Sequence, residues 1–284
     1  MITDYKYARL LEEVQNTGDL IEGRNAWTRS KIDVYPLKFT STPLVTLRKT
    51  AWRTAIQEWE WFMTGEAECP NSMLPWWKNQ LAPDMCYHGG YGVQFRHSGE
   101  SKPGFDQIQA LLEGSAQHPH SRRLLLTSWN PQEMYNITTL NQNPNTPTSC
   151  HTTLAHLFVR KQRLYMTSYQ RSADLLLGVP HNWIQSWAFM LWLAYYLKLE
   201  IGHMLWLFGD AHIYQEETHL KATTEIIQAA NVVSFDGQKS TFCLRYLPLE
   251  EYDPDTVPPF RAEDFVMEGT VPAPVVTTKP ILIV

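Results

Sequence analysis

Apolar residues recur at helical spacing near the start of the chain. Within 7–14 they follow the order i, i+3, i+4 and i+7, which predicts an amphipathic N-terminal helix. The run at 52–63 repeats this spacing, and Gly65 then predicts the end of a second helix. The most apolar run, WAFMLWLAYYL at 187–197, is shorter than the roughly 20 residues that cross a bilayer. It therefore predicts a buried helix.

Short runs rich in β-branched and aromatic residues predict strands, at 124–129, 152–159, 164–169 and 204–208. Further helices are predicted around 108–112, at 184–199 and at 213–230, whereas 66–104 has no steady period. Strands and helices mix without strict alternation. The pattern favours an α+β fold in one domain, 1–284, over a doubly wound parallel sheet.

Composition and charge narrow the function classes. The 284 residues are 44% hydrophobic, with a net charge of −5 and no basic block. Nonspecific binding to nucleic acid or to a membrane therefore has no electrostatic support, and neither partner is expected. The four cysteines form no CxxC pair, and the sequence starts without an apolar signal core. We expect a reduced, soluble protein of the cytoplasm.

Cys150 is the candidate nucleophile, because it follows the polar stretch NQNPNTPTS and precedes His151. A thiol attacks as its thiolate, so it needs access and a lowered pKa. The alternative is a small buried side chain, as with most free cysteines. His151 and His156 would face opposite sides of a strand, and no usual zinc spacing is present. We therefore expect no metal.

Two other groups of polar residues are candidates for binding an anion or a sugar. His212 and Tyr214 follow a predicted strand and open a predicted helix, where Asp210 could instead serve the helix dipole. The arginines suit phosphate oxygens only if the fold brings them together. They are Arg24, Arg29, Arg122, Arg123 and Arg171.

Several segments, in order along 20–270, resemble the thymidylate synthases and the related pyrimidine-nucleotide hydroxymethylases. The two most specific are SYQRSADLLLGVPHN at 168–182 and FGDAHIY at 208–214, which resemble Y-Q-R-S-x-D-x-x-L-G-x-P-F-N and G-D-x-H-x-Y. Supporting matches are TPLVTLRKTAWRTAIQEWEWFMTG, YGVQFR, HPHSRRLLLTSWNP, SCH and FRAEDFVMEG. The resemblance implies a large mixed sheet covered by helices, and a homodimer that forms through the sheet.

The resemblance also implies a reaction and a division of roles. Cys150 would add to C6 of dUMP, and C5 would then accept a one-carbon unit from the co-substrate 5,10-methylenetetrahydrofolate. Catalytic roles fall on Cys150, Glu58, Tyr91, Asn182, Asp174 and His151. Nucleotide-binding roles fall on Arg24, Arg122, Arg123, Gln170, Arg171, Ser172, Asn182, His212 and Tyr214, with Arg122 and Arg123 reaching over from the second subunit. Folate-binding roles fall on Glu58, Trp76, Trp77, Asp174, Leu177, Gly178 and His181.

Departures from the family pattern bear on the final step. The R-T-G-T-G-T loop is replaced by GRNAWTRSKI, so Arg24 and Arg29 are alternatives for its arginine. Ser149, preceded by Thr148, stands for the proline before the cysteine, and His181 for the aromatic residue of P-F-N. These polar groups favour attack by water and a 5-hydroxymethyl-dUMP product, as in a phage-type enzyme working in the host cytoplasm. The alternative is reduction to thymidylate.

Three further alternatives remain open. Asn182 suits uracil, because its amide can donate to O4 and accept from N3–H, and this argues against a cytidylate hydroxymethylase. A cysteine hydrolase could use Cys150, but His151 is poorly placed as its base. A non-catalytic protein on this fold would be expected to lose Cys150 or Glu58, and both are present.

Overall fold

The computed structural model describes residues 2–99, 104–133, 137, 143, 146–232, 241–250 and 256–283. Its helices are α1 (Ile2–Thr17), α2 (Trp52–Thr64), α3 (Leu74–Trp77), α4 (Tyr91–His97), α5 (Gln107–Gln117), α6 (Gly178–Tyr196) and α7 (Glu217–Val232), with a 3₁₀ turn at Ala262–Asp264. Its strands are β1 (Asp19–Glu22), β2 (Trp27–Lys31), β3 (Leu37–Phe39), β4 (Leu125–Leu126), β5 (Leu154–Arg160), β6 (Arg163–Asp174), β7 (Glu200–Tyr214), β8 (Phe242–Tyr246) and β9 (Phe265–Gly269).

Seven strands form one mixed sheet in the order β1-β2-β7-β6-β5-β4, and β3 also pairs with β7. β6 and β7 run parallel, and α6 connects them, whereas the other pairs are antiparallel. β8 and β9 form a separate two-stranded sheet. The predicted α+β fold with a large mixed sheet is confirmed.

The β5–β6 hairpin shows why the register of the central sheet is fixed. Lys161 and Gln162 form its two-residue loop and both have positive φ angles, 49° and 57°. Such a loop matches the twist of the flanking strands. The pairing then runs from Arg160↔Arg163 to Leu154↔Tyr169 without a shift. The strands predicted at 152–159 and 164–169 thus form this hairpin.

Helix α6 is the buried helix that the apolar run predicted. Trp183, Ile184, Ala188 and Trp192 are fully buried within it. The helix packs on α2 and against β6 and β7, so its burial joins the helical layer to the sheet. Among the described residues, no helix combines the length and apolar character needed to cross a bilayer.

Three predictions of local structure were wrong. β4 covers only Leu125–Leu126, and the 66–104 segment contains the short helices α3 and α4. β7 continues through His212 and Tyr214, which therefore lie in a strand and not at a helix start. Asp210 also lies on β7. The reason is tertiary: β7 pairs with both β2 and β6, so these polar positions stay extended.

Gly92 allows α4 to lie close against α2. A Cβ atom at this position would come 2.8 Å from the Phe62 carbonyl oxygen and 3.2 Å from the Phe62 Cα. Backbone atoms cannot move aside as a side chain can. This contact therefore sets the position of Tyr91, the first residue of α4.

We expect Gly92→Ala to lower the free energy of unfolding by about 1–3 kcal/mol, since the added methyl must push two helices apart. Gly114→Ala is the matched control. Its Cβ would meet only Leu124 Cδ2, at 3.2 Å, and alanine favours a helix by up to ~1 kcal/mol. Urea unfolding of both variants measures the difference. Equal stability of the two would contradict the role given to Gly92.

Candidate active site

A cavity of about 1010 Å³ lies beside the β6–α6 junction. It is large enough for two small ligands, since a pocket for one drug-sized ligand is roughly 300–1,000 Å³. Arg29, Arg122 and Arg123 lie outside its lining, which contains all the other site residues predicted from the resemblance. These are Arg24, Glu58, Trp76, Trp77, Tyr91, Cys150, His151, Gln170, Arg171, Ser172, Asp174, Leu177, Gly178, His181, Asn182, His212 and Tyr214.

Cys150 is partly exposed, and Tyr91 holds it in place. The backbone N–H of Cys150 donates to the Tyr91 hydroxyl oxygen over 2.8 Å, and that hydroxyl lies 3.3 Å from Sγ. Because its oxygen accepts from the backbone, the Tyr91 hydroxyl is free to donate to the sulfur. Burial raises the pKa of the Cys150 thiol, while the Tyr91 hydrogen bond and the charge of Arg171 act to lower it. The thiolate is therefore favoured by these two neighbours and by a hydrogen bond from the His151 backbone.

The Cys150 loop is attached directly to β6. The Cys150 carbonyl accepts from the Arg171 N–H at 2.8 Å and from the Ser172 N–H at 3.4 Å. In return, the Arg171 guanidinium donates to the Ser149 carbonyl at 3.2 Å and to the Thr148 hydroxyl at 2.9 Å. These reciprocal contacts hold the predicted phosphate-binding arginine beside the predicted nucleophile.

His151 belongs to an aromatic cluster and is not placed as a base. Its ring stacks on Tyr91 with 4.5 Å between centroids, and Trp59 and Phe62 lie within 6.4 Å. Burial lowers the pKa of His151 to about 3, so the ring is neutral. The catalytic role expected from its position next to Cys150 has no geometric support, and packing explains the residue instead.

Three amide side chains connect the sheet to Glu58. The Trp206 indole donates to Gln170 Oε1 at 3.1 Å, and Gln170 donates to Asn182 Oδ1 at 3.0 Å. Asn182 then donates to Gln185 Oε1 at 3.2 Å, and Gln185 donates to the Glu58 carboxylate. An indole N–H can only donate, so it orients every amide that follows. Asn182 keeps one N–H and one oxygen lone pair for a ligand.

Gln185 and Trp206 were not predicted from the sequence. The signal for Gln185 was its spacing, because residues three apart lie on the same helix face. No local pattern links Trp206 to the site, since its contact with Gln170 depends on the parallel pairing of β6 and β7.

Glu58 is a buried carboxyl whose pKa suits proton transfer. Only 7% of its surface is exposed, and both of its oxygens accept hydrogen bonds, from the Trp77 indole and from Gln185. Burial raises the pKa of Glu58 to about 7, although the two hydrogen bonds oppose this shift. Near neutral pH the group can therefore both accept and release a proton.

His181 and Trp76 form an aromatic wall of the cavity, with their ring centroids 5.2 Å apart. His181 Nδ1 lies 2.6 Å from the Leu177 carbonyl oxygen, and the Ala51 N–H donates to Nε2 over 3.2 Å. Burial lowers the pKa of His181 to about 4. Because backbone groups use both ring nitrogens, the neutral ring contributes little polarity to the cavity.

The two hydroxyl residues before Cys150 differ in their surroundings. Ser149 is fully buried, and its hydroxyl donates to the Ser128 carbonyl at 3.0 Å, outside the cavity lining. Thr148 does line the cavity, and its oxygen accepts from Arg171. The polar replacements noted in the sequence are Thr148, Ser149 and His181. Among these three, only the side-chain hydrogen of Thr148 has no acceptor within the part of the protein that the structure describes.

Asp174 closes the turn that leads into α6. Its Oδ1 accepts from the Leu176 and Leu177 N–H groups at 2.9 and 3.1 Å. Gly178 follows, and any side chain there would come 3.3 Å from Asn182 Oδ1. The small residue therefore leaves the amide oxygen accessible.

Asp210 is a further site residue, which had been interpreted only as a helix-dipole group. Its two oxygens contact His212 Nδ1 at 2.9 Å and accept from the Ser30 hydroxyl at 2.7 Å. This pair orients the His212 ring, which lies 5.4 Å from the Tyr214 ring. Burial raises the pKa of Tyr214 to about 12, so its phenol stays protonated.

The arginines separate into three positions. Arg24 lines the cavity, whereas Arg29 donates to the Gly18 carbonyl at 3.0 Å and is not part of the lining. The geometry thus favours Arg24 as the phosphate ligand. Arg122 and Arg123 are exposed just before β4. Their expected action from a second subunit stays a prediction.

The C-terminal segment contributes to the same cavity. Lys279, Pro280, Leu282 and Ile283 line it. The backbone of Ile281 is tied to α7, because its carbonyl oxygen lies 2.7 Å from His219 Nε2 and its N–H donates to the Thr218 hydroxyl over 3.2 Å.

Comparison with known proteins agrees with this arrangement. The profile of the thymidylate synthase family matches residues 5–281. A protein of Mycoplasma genitalium named thymidylate synthase is 28% identical over 275 residues, which cover 81% of this chain and 91% of the relative. The matched region includes the nucleophile loop, the amide chain and the C-terminal segment as far as Ile281. The chain therefore belongs to the thymidylate synthase family, whose members are one-carbon transferases.

Proposed function

We propose that this protein transfers a one-carbon unit from 5,10-methylenetetrahydrofolate to C5 of dUMP through a covalent adduct between Cys150 and C6. One observation carries the proposal: the partly exposed Cys150 lines the same cavity as Arg171 and Asn182. A thiolate, a phosphate ligand and a uracil-matching amide are the three groups that the reaction needs.

Cys150 would begin the reaction by attack of its sulfur on C6. The electron pair of the C5–C6 double bond then moves toward C5 and O4, so C5 becomes nucleophilic. Asn182 would hold the base edge, donating to O4 and accepting from N3–H. Arg24 and Arg171 would bind the phosphate, and Arg171 also favours the attacking thiolate.

The folate supplies the electrophilic carbon, and C5 forms a bond to it. Removal of the C5 proton then expels the folate amine and leaves an exocyclic methylene at C5. When hydride or water adds to this methylene, the electron pair released onto C5 re-forms the C5–C6 double bond and expels the Cys150 sulfur from C6. Glu58 would relay protons near O4 and the folate, because its pKa lies near the operating pH. Trp76, Trp77 and His181 would form the folate side of the cavity.

For the final step we favour hydride transfer from the folate, which gives thymidylate and dihydrofolate. Ser149 and both nitrogens of His181 bond to backbone groups, and Trp76 and Trp77 add apolar surface. Such a wall would keep water from the C5 methylene. One observation still supports attack by water, the outcome that the sequence favoured. Thr148 lines the cavity, and its hydroxyl hydrogen could hold a water molecule.

We also propose that the protein works as a homodimer through its main sheet. Leu125, Leu154 and Tyr169, from β4, β5 and β6, are 37–42% exposed on that sheet. A second copy that covers them would bury apolar area and could bring Arg122 and Arg123 to the partner's phosphate site. Cytoplasmic localisation is proposed on the four free thiols.

The first prediction concerns the product. With dUMP and methylenetetrahydrofolate, we expect thymidylate and one dihydrofolate per turnover, followed by absorbance and by product mass. Cys150→Ser should abolish turnover and the covalent complex with 5-fluoro-dUMP and folate, because serine is a far weaker nucleophile.

Cys243→Ser, a thiol outside the cavity lining, is the control and should stay active. A 5-hydroxymethyl product without dihydrofolate would reject only the final step. An adduct that persists in Cys150→Ser would reject the whole mechanism.

A second prediction concerns the base. Asn182→Asp should shift the ratio of kcat/KM for dCMP over dUMP toward dCMP by about 10–100-fold, because a protonated carboxyl matches the cytosine edge and a lost uracil contact costs roughly 1–3 kcal/mol. Asn182→Ala is the control and should weaken the binding of both nucleotides. An unchanged ratio in Asn182→Asp would count against this assignment.

A third prediction concerns Glu58. Activity should fall as pH drops below about 7, where the carboxylate becomes protonated, and Glu58→Gln should be slow without that inflection. The pH–rate profiles of both proteins test this. A wild-type profile that is flat from pH 6 to 8 would argue against a proton-transfer role.

Stability gives a separate measure of the same group. The pKa of Glu58 is raised from 4.5 to about 7, so the folded state holds the extra proton between these values. The free energy of unfolding of wild type should therefore fall by about 3 kcal/mol, relative to that of Glu58→Gln, as pH rises from 4.5 to 7. Denaturant unfolding at several pH values measures the difference, whether or not the residue is catalytic.

A further inference from the structure

Asp84, Cys86 and His88 bring three different metal-binding side chains together outside the cavity lining. Their carboxylate oxygen, thiol sulfur and imidazole nitrogen all lie within 4.8 Å of one another. We call these residues the 84–88 cluster. No metal was expected from the sequence, because no usual zinc spacing is present.

The backbone of the cluster is anchored on both sides. Tyr87 is 2% exposed, and its hydroxyl donates to the Pro147 carbonyl at 2.7 Å, while its N–H donates to Ala67 at 2.7 Å. Cys86 and His88 flank this buried side chain and are both partly exposed. The cluster therefore combines a fixed backbone with side chains that can still adjust.

The side chains need only a small adjustment to bind an ion. His88 Nε2 already lies 2.7 Å from Asp84 Oδ2, although both side chains are accessible at 37% and 55%. Tetrahedral ligands at zinc bond lengths of about 2.0–2.3 Å stand about 3.4 Å apart. An ion would thus separate the histidine and the aspartate slightly and draw the sulfur inward.

The local charge also favours a cation. Glu68 pairs with Cys86 across an antiparallel bridge, and paired residues of this kind carry their side chains on the same face. A second carboxylate therefore lies next to the cluster in addition to Asp84.

We propose that the 84–88 cluster binds one Zn²⁺ ion through three protein ligands, with water in the remaining position. A sulfur ligand argues against Mg²⁺ and Ca²⁺, which prefer oxygen, whereas a mixed set of oxygen, nitrogen and sulfur suits zinc. Binding would release the Cys86 proton to solvent, because the ligand is the thiolate.

The bound ion would act on the active site through its neighbours. Gly90 and Tyr91 follow the cluster directly along the chain, and Tyr87 reaches the loop before Cys150 through Pro147. Zinc would hold this segment and would not take part in the reaction. Zinc binding does not depend on the proposed function.

Cobalt is the probe, because a thiolate bound to Co²⁺ gives a charge-transfer band in the near ultraviolet. Full-length protein freed of metal by a chelator should bind one Co²⁺ per chain with this band, and Zn²⁺ should remove it. Cys86→Ser should abolish the band and His88→Gln should weaken binding at least tenfold. Cys243→Ser, the matched control, should keep both the band and the affinity for Co²⁺.

A second measurement does not depend on cobalt spectroscopy. Zinc should raise the Tm of wild type and Cys243→Ser but not of His88→Gln, since a ligand stabilises only a state that binds it. Circular dichroism checks that each variant is folded. A band that survives in Cys86→Ser, or an equal rise of Tm in His88→Gln, would overturn the proposal. So would the absence of binding at micromolar Co²⁺.

Discussion

A chain of hydrogen bonds runs from Trp206 to Glu58, and each side chain in it donates to the next. This chain constrains the site more than any other feature. It starts on β7, passes through Gln170 on β6 and crosses to α6, where Asn182 and Gln185 lie. Each buried amide is satisfied only if all of them keep one orientation, and a wrong orientation leaves unpaired polar groups inside the protein. The proposed base recognition and proton transfer would thus depend on the same pairing of sheet and helix.

Cys150, the proposed nucleophile, illustrates how neighbouring groups can act against the effect of burial on a thiol. Burial opposes ionisation, whereas the Tyr91 hydroxyl, the Arg171 guanidinium and the His151 backbone act in the other direction. The two side chains also hold the backbone of the loop, Tyr91 through the Cys150 N–H and Arg171 through the Ser149 carbonyl. Positioning and activation of the sulfur therefore share these two residues, and neither can change without affecting the other.

Sequence reasoning found most of what is local and little of what is long-range. The helical spacing located α1, α2 and α6, and the motif blocks identified most of the cavity lining. It missed the full length of β7, because strand pairing on both sides keeps polar residues such as His212 extended. The resemblance gave His151 a catalytic role, although its ring stacks in the aromatic cluster. Trp206 could not be found, since its partner lies on another strand.

Trp76 has a practical consequence for anyone who studies this protein. Its indole is half-buried at the cavity wall, whereas Trp59, Trp183, Trp192 and Trp206 are fully enclosed. A molecule that settles against His181 would strip water from this one ring and leave the enclosed ones untouched. Intrinsic emission can therefore report occupancy in real time, without a dye.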